Sequence, residues 1–317
     1  MIELNELLTR LNGADEAERI YAAEDIGYAN SAEGVPPLLD RLSLESSRAV
    51  REAIFAALQS IEDDAVIEGA IRLLASEDSF LRNQAVDLLR QRGPRVIPLL
   101  GQAFPKADRD ERKFMLDVLA GVDGPGSLEF YDRALADDDV NVVITAVENL
   151  GHARKTEFRE RIEQLVATGH PMLAGACVET LARIGNAHSL EAIRSRVNAE
   201  GSCADFLLPS YLKALGAHGN EYDIGEAAGM LDSRGAHLQA AILDAITMLR
   251  QRHPSALLPE ALMEPLENIV RNDRSPILRH QAFRLLKGLT RLDGVATFLE
   301  ARQAGQDAIE GREDRGV

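Results

Sequence analysis

The sequence predicts an all-α fold, a right-handed superhelical α-solenoid of about nine helical hairpins, and three observations carry that expectation. An aliphatic residue closing a helical apolar pattern recurs at Ile26, Leu58, Leu89, Leu119, Leu150, Leu181, Leu215, Ile246 and Leu286, at steps of 30 to 34 residues except the last. A second column, Leu11, Leu42, Leu74, Phe104, Leu135, Val166, Val197, Leu231 and Val270, keeps the same beat. It follows the first column by 15 or 16 residues in seven of the eight later cases, so each unit holds two helices joined by a short turn. Composition agrees: apolar residues make up 45% of the 317, yet Trp is absent and aromatics are only 4%, so Ala, Leu, Ile and Val must build the core. No unit of this length buries its own apolar face, and stacking on neighbours supplies the missing half.

The first helix, Ile2 to Leu11, leaves Glu3, Asn5, Glu6, Thr9 and Arg10 on its outer side, which suits the end of a stack. The second unit shows the type: Val35 to Leu42, a turn, then Ser47 to Leu58, with Val50, Ile54, Ala57, Leu58 and Ile61 at amphipathic spacing. Asp15, Ser47, Asp78, Asp108, Asp139 and Ser275 precede second helices as N-caps, whose side-chain oxygens satisfy free first-turn amides. Asp15 with Glu18, and Asp108 with Glu111, have capping-box spacing. Arg19, Arg51, Arg82, Arg112 and Arg279 share a position near the middle of the apolar stripe, where an unpaired charge is costly. Each guanidinium is therefore expected to reach out to carboxylates or carbonyls of the inter-helix turns. Val143, Ala174, Leu208 and Gln239 take that position in the middle units, where the stack is expected to be held differently and to bend or flex.

Two irregularities interrupt the beat. The step from Leu181 to Leu215 contains Asn198, Gly201 and Ser202 and is expected to hold a lengthened loop; the step from Ile246 to Leu286 contains Arg250 to Glu264, with Pro254, Pro259 and Pro265 close by, and is expected to be an insertion on one face. The polar, Gly-rich stretch after Gln303 is expected to be a disordered tail, which gives one solenoid over residues 1–303 and a tail over 304–317.

The unit carries Pro-Leu-Leu in its first helix, at Pro37 to Leu39 and Pro98 to Leu100, an acidic or Ser turn, and an aliphatic-Arg pair eight residues before the anchor in its second. Val50-Arg51 through Leu58, Leu81-Arg82 through Leu89 and Leu278-Arg279 through Leu286 show the latter, and Ala146 to Gly151 repeats the Ala-x-x-x-Leu-Gly ending. From about Ile2 to Arg302 the chain resembles the short bacterial HEAT repeat, the type named for phycobilisome-lyase proteins. The resemblance implies a solenoid whose second helices line the concave side, in a family that includes bilin-lyase subunits, chemosensory and other adaptors, and many scaffolds.

Charge narrows the function. With 51 acidic against 35 basic residues the net charge is −16, and the chain lacks the cations that displace counterions from phosphates, so nucleic acid is an unexpected partner. The missing Trp residues also disfavour a HEAT-like DNA glycosylase. No apolar window reaches the roughly 18 residues of a membrane span, the start is not that of a signal peptide, and two cysteines make no disulfide framework, so a cytoplasmic protein is expected. Cys177 falls on an apolar stripe, and Cys203 falls in the lengthened loop. Seven scattered histidines include no metal-binding pair, no His-Glu dipeptide of a di-iron hydroxylase occurs, and His170 before Pro171 takes a capping position. Phosphate loops, nucleophile elbows and Cys-x-x-Cys pairs are missing too, so neither catalytic residues nor a metal nor a cofactor is expected.

One column suggests a binding face. Two residues before the first-column anchors stand Glu24, Ala56, Asp87, Asp117, Glu148, Glu179, Lys213, Asp244 and Arg284; six of these nine are acidic, where 51 in 317 predicts about one or two. The position points about 160° from the apolar stripe, hence to solvent. A solvated helix face is the plain reading. The sharper one is a groove in which Glu24, Asp87, Asp117, Glu148, Glu179 and Asp244 attract a basic peptide or protein surface. The function expected is a non-enzymatic bacterial adaptor, with a bilin lyase-like, chromophore-handling subunit as the alternative. The middle units around Glu148 and Glu179 are where flexibility and partner are both expected.

Overall fold

The computed structural model describes residues 3–168, 170–199, 204–231 and 236–289. They contain eighteen α-helices and no strand. Two compact units divide the chain, residues 1–149 and 150–317. The first holds α1 (Leu4–Leu11), α2 (Glu16–Ala29), α3 (Val35–Leu44), α4 (Arg48–Ser60), α5 (Asp64–Leu73), α6 (Ser79–Gln91), α7 (Val96–Ala103), α8 (Arg109–Ala120), α9 (Ser127–Ala134) and most of α10 (Val140–His152). The second holds α11 (Arg159–Val166), α12 (Pro171–Ile184), α13 (Ala187–Ala199), α14 (Ala204–His218), α15 (Asp223–Gly229), α16 (Ala236–Arg252), α17 (Met263–Asn272) and α18 (Pro276–Leu289). Odd-numbered helices are the first and even-numbered the second of nine hairpins, and second helices pack on second helices in chain order from α2 to α8 and from α12 to α18. This is the α-solenoid that the beat predicts.

Caps set the helix starts. Asp15 accepts from the amides of Ala17 and Glu18, Ser47 from Val50, Asp78 from Phe80, Asp139 from Asn141 and Ser275 from Leu278. Asp108 and Glu111 form the reciprocal capping box. Asp15 and Glu18 do not, because the Glu18 carboxylate is taken by Arg10 at 2.7 Å. His170 caps α12, accepting from the amide of Leu173.

Eight of the nine first-column anchors, from Ile26 to Ile246, are buried, as are the second-column residues from Leu11 to Leu231; Leu286 and Val270 in the last hairpin are half-buried. At about 1.5–3 kcal/mol per buried aliphatic side chain, these columns contribute substantially to the stability of the stack. Cys177 is fully buried in the same core, and burial pushes its thiol up to about 12, which leaves it an unreactive apolar residue. Cys203, the Gly201–Ser202 part of the lengthened loop and the 304–317 tail lie outside the described residues; Asn198 is still inside α13.

The insertion is shorter than the prolines suggest. Helix α16 runs on to Arg252 and α17 starts at Met263, with Pro265 tolerated in its first turn, so the irregular stretch is 253–262. It is not a free loop throughout, since Ala256, Leu258 and Leu262 are buried while Leu257 is 90% exposed.

Polar side chains stitch the helix starts. Arg19 donates to Glu45 of the next hairpin's turn at 2.8 Å and to the Gly13 and Ala14 carbonyls of its own turn. Arg51 bonds the Glu45 carbonyl and Asp78, Arg82 bonds the Ser76 carbonyl and stacks on Phe114, and Arg112 bonds the Ala107 carbonyl with Asp137 and Asp138. Each of these four guanidinium groups thus serves its own turn and the next hairpin, as its place in the stripe requires. Past this ladder, Val143, Ala174 and Leu208 are buried and fill the position with apolar volume. In the second unit a first helix takes over: Arg194 of α13 donates to Tyr211 of α14 and to Asp223 and Glu226 of α15, while Glu163 of α11 accepts from Ser189 of α13.

A second set of cations serves the helix ends. Arg92 donates to the carbonyls of Leu58, Gln59 and Ile61 at the end of α4; Arg252 donates to those of Gly216 in the last turn of α14 and Gly219 just beyond it, and the His218 ring nitrogen lies 2.9 Å from the Leu181 carbonyl of α12. These carbonyls lie at the negative end of the helix dipole, and a donor from the next second helix gives each a partner, for Leu181 in addition to the amide of Gly185 at 2.8 Å. Burial lowers the pKa of His218.

Candidate partner-binding face

The outward column on the second helices emerges as the sequence predicts in position, but not uniformly in charge. Glu24, Asp87, Glu148, Glu179 and Asp244 are exposed, and Asp117 is half-buried. In the first unit the row reads Glu24, Ala56, Asp87, Asp117, Glu148, without a cation among its five positions. Arg90 comes only within 3.9 Å of Asp87 and gives its stronger bond to the Asp117 carbonyl at 2.9 Å; the Asp117 carboxylate accepts from Asn149 at 3.4 Å. Glu24 and Glu148 have no ion-pair partner among the described residues.

In the second unit the same row reads Glu179, Lys213, Asp244, Arg284. Glu179 pairs with Arg183 at 2.7 Å, and Asp244 accepts from Gln281 at 2.6 Å, where partial burial raises its pKa. Two acids alternating with two bases make a row without the one-signed character of the first unit. The six acidic residues are therefore brought together as two sets, Glu24, Asp87, Asp117 and Glu148 in one unit and Glu179 with Asp244 in the other.

Two exposed aromatic side chains stand beside the row. Tyr21 is 55% and Tyr28 is 89% exposed on α2, flanking Glu24 on one helical stripe. Their spacing of three and four residues from Glu24 is visible in the sequence, but their exposure is not, because tyrosine as a residue type is intermediate in burial. Chemistry elsewhere is spare. Among the described residues no cluster of His, Cys, Asp and Glu is arranged to hold a metal ion. A polar depression of about 380 Å³ is lined by Glu160, Glu163, Gln164, His188 and Ala192, with Glu163 already bonded to Ser189. The aromatic pairs Phe55–Phe80 and Phe104–Phe130 are edge contacts made by buried Phe55, Phe104 and Phe130 and half-buried Phe80.

A family model described as HEAT repeats matches residues 4–90. That segment is a run of HEAT repeats. The HEAT segment covers α1 to α6, and the hairpins that follow keep its anchor columns and its second-helix packing. No curated protein matches the chain. Among solved structures, an engineered protein is 18% identical over 95% of this chain and 92% of that one, with a TM-score of 0.48. The Escherichia coli protein YibA is 14% identical over 79% of this chain and 93% of that one, TM-score 0.45. The complex of CpcE and CpcF of phycocyanin lyase from Nostoc sp. PCC7120 is 17% identical over 78% and 95%, TM-score 0.32. The HEAT assignment therefore rests on the repeat match and on the helices themselves. No helix among the described residues is long and apolar enough to cross a membrane.

Proposed function

We propose that the chain is a non-enzymatic interaction scaffold of the bacterial cytoplasm that binds a protein or peptide with a basic surface along the second-helix face. The single observation that supports this reading is the one-signed row of the first unit, where Glu24, Asp87, Asp117 and Glu148 face outward with no cation among them. A preformed surface lowers the ordering cost of association, and unpaired carboxylates bias the choice of partner and speed encounter. Glu179 and Asp244 extend the face in the second unit, where Lys213 and Arg284 give it a mixed sign and hence a different contribution to selectivity. Polar lining and core-facing Phe pairs give no support to the chromophore-handling alternative.

The test compares native-cell affinity capture by the wild-type chain with capture by the variant Asp87→Lys, Asp117→Lys, Glu148→Lys. Proteins retained by the wild type are expected to be lost by the variant and to elute from the wild type between about 0.15 and 1 M salt, where the Debye length falls from about 8 to 3 Å. Equal capture by the two chains refutes the reading.

A further inference from the structure

On the first unit's face, Tyr21, Glu24 and Tyr28 line one stripe of α2, and the tyrosines stand exposed in a chain with only five. Tyrosine is enriched where partners are bound, because it offers a broad apolar ring with a polar tip. Beside α2, helix α4 presents Ala49, Ala56 and Ser60 to solvent with Ala53 half-buried, a strip of small side chains flanked on its other side by exposed Gln59 and by Glu52, which is paired with Arg48 at 2.8 Å. Asp87 on α6, Asp117 on α8 and Glu148 on α10 continue the row.

Contacts hold these helices in register. A Cβ at Gly27 would lie 2.8 Å from Ala57 Cα, and Ser60 donates to the Gly27 carbonyl, so α2 and α4 touch at matched positions. Arg92 ties α6 to the end of α4, Arg90 donates to the Asp117 carbonyl, and Asn149 reaches Asp117. Packed helices stand about 8–10 Å apart. A polyproline II segment rises about 3.1 Å per residue with three residues per turn, so every third side chain returns to the same face after about 9.3 Å. A β-strand has no such match, since its side chains alternate and residues three apart point to opposite sides.

Resting on the acidic-face reading, we propose that this surface binds an extended, polyproline II segment of a partner protein that carries a basic residue at every third position. Its occupant opposite Ala56 is small or apolar, because the row position itself offers no carboxylate and neighbouring Glu52 is already paired with Arg48. The terminal basic residue is an arginine that pairs with Glu24 and lays its planar guanidinium on Tyr28, a geometry lysine does not reproduce.

The test titrates the full chain into fluorescein-labelled thirteen-residue peptides of Ala and Pro background and follows anisotropy. One peptide has arginines at its first, seventh, tenth and thirteenth positions, and the control has the same four arginines side by side. The spaced peptide is expected to bind about fivefold or more tightly than the control, and Tyr28→Ala to weaken the spaced peptide about threefold with the helical circular dichroism unchanged. Equal affinity for both peptides overturns the register while leaving the acidic face in place. Saturable binding of neither peptide overturns register and face together. An unaltered affinity in Tyr28→Ala overturns the stacking, and a concentration-dependent dimer abolished by Tyr28→Ala assigns the face to a second copy of the chain instead.

Discussion

Glu45 shows how much one carboxylate can carry in a stack of short hairpins. It sits in the turn between α3 and α4 with its side chain 1% exposed, and accepts from Arg19 of the preceding hairpin, Arg41 of its own first helix and the amide of Ser47. Burial alone would raise its pKa, but the Ser47 amide and the two guanidinium groups outweigh that and hold it near 2, against an ordinary 4.5. A carboxyl held low contributes stability above its unfolded pKa and loses it as the pH falls through the folded value. Glu45→Gln is therefore expected to cost roughly 2–3 kcal/mol at pH 7 in urea unfolding, and the gap from wild type to close between about pH 4.5 and pH 2. A pH-independent gap would show that packing, rather than charge, holds the turn. Nothing in Leu44-Glu45-Ser46-Ser47 separates Glu45 from a surface carboxylate, because its partners arrive from 26 residues upstream and from the helix before it. Arg19, by contrast, was legible, since a charge in the middle of an apolar stripe must find a way out.

Among elements, the second helices differ in how closely they approach. Gly27, Gly151 and Gly216 each follow an anchor, and a Cβ there would meet Ala57 Cα at 2.8 Å, Thr180 Oγ1 at 2.7 Å and Ala245 Cα at 3.1 Å. Where Gln59 or Arg90 takes that place a longer side chain occupies the same site on the helix, and Arg90 uses it to reach the next helix. Gly27→Val is expected to lower stability by about 2–3 kcal/mol in thermal or urea unfolding, because the obstacle is backbone and α2 must move away from α4. Gly225→Ala, in α15 with nothing near its added Cβ, is expected to be neutral or to gain about 0.5 kcal/mol from helix propensity. Similar losses in both would point to helix entry rather than close packing. The anchor-Gly pairs are readable as sequence, but which neighbour they admit is not. The replacement of the Arg ladder by Arg194 on a first helix was also hidden, because its partners Tyr211, Asp223 and Glu226 come from the two following helices.

At the scale of the molecule, charge is the broadest determinant. A net −16 repels polyanions at any distance within the Debye length, and the cationic column of the first unit, Arg19, Arg51, Arg82 and Arg112, is spent on turn carboxylates and carbonyls. The full chain is expected not to retard duplex DNA or RNA in gels between about 0.05 and 0.2 M salt. A shift that weakens with added salt would reveal a basic surface and redirect the search for a partner. Overall charge, however, says nothing about where sign accumulates, and the two units differ: one row has four acids and no cation in five positions, and the other alternates.

By itself the sequence determined the hairpin repeat, the anchors, the caps, the Arg ladder and the outward column of carboxylates, because each follows from helical period and from the cost of burying a charge. Tertiary structure decided which carboxylates are neutralised, which cations close the helix ends, how long the insertion is, and that Tyr21 and Tyr28 stand free beside Glu24. Periodicity places a side chain on a face of its own helix, but its partners and its exposure depend on neighbouring helices whose approach is set by packing across about thirty residues of intervening chain.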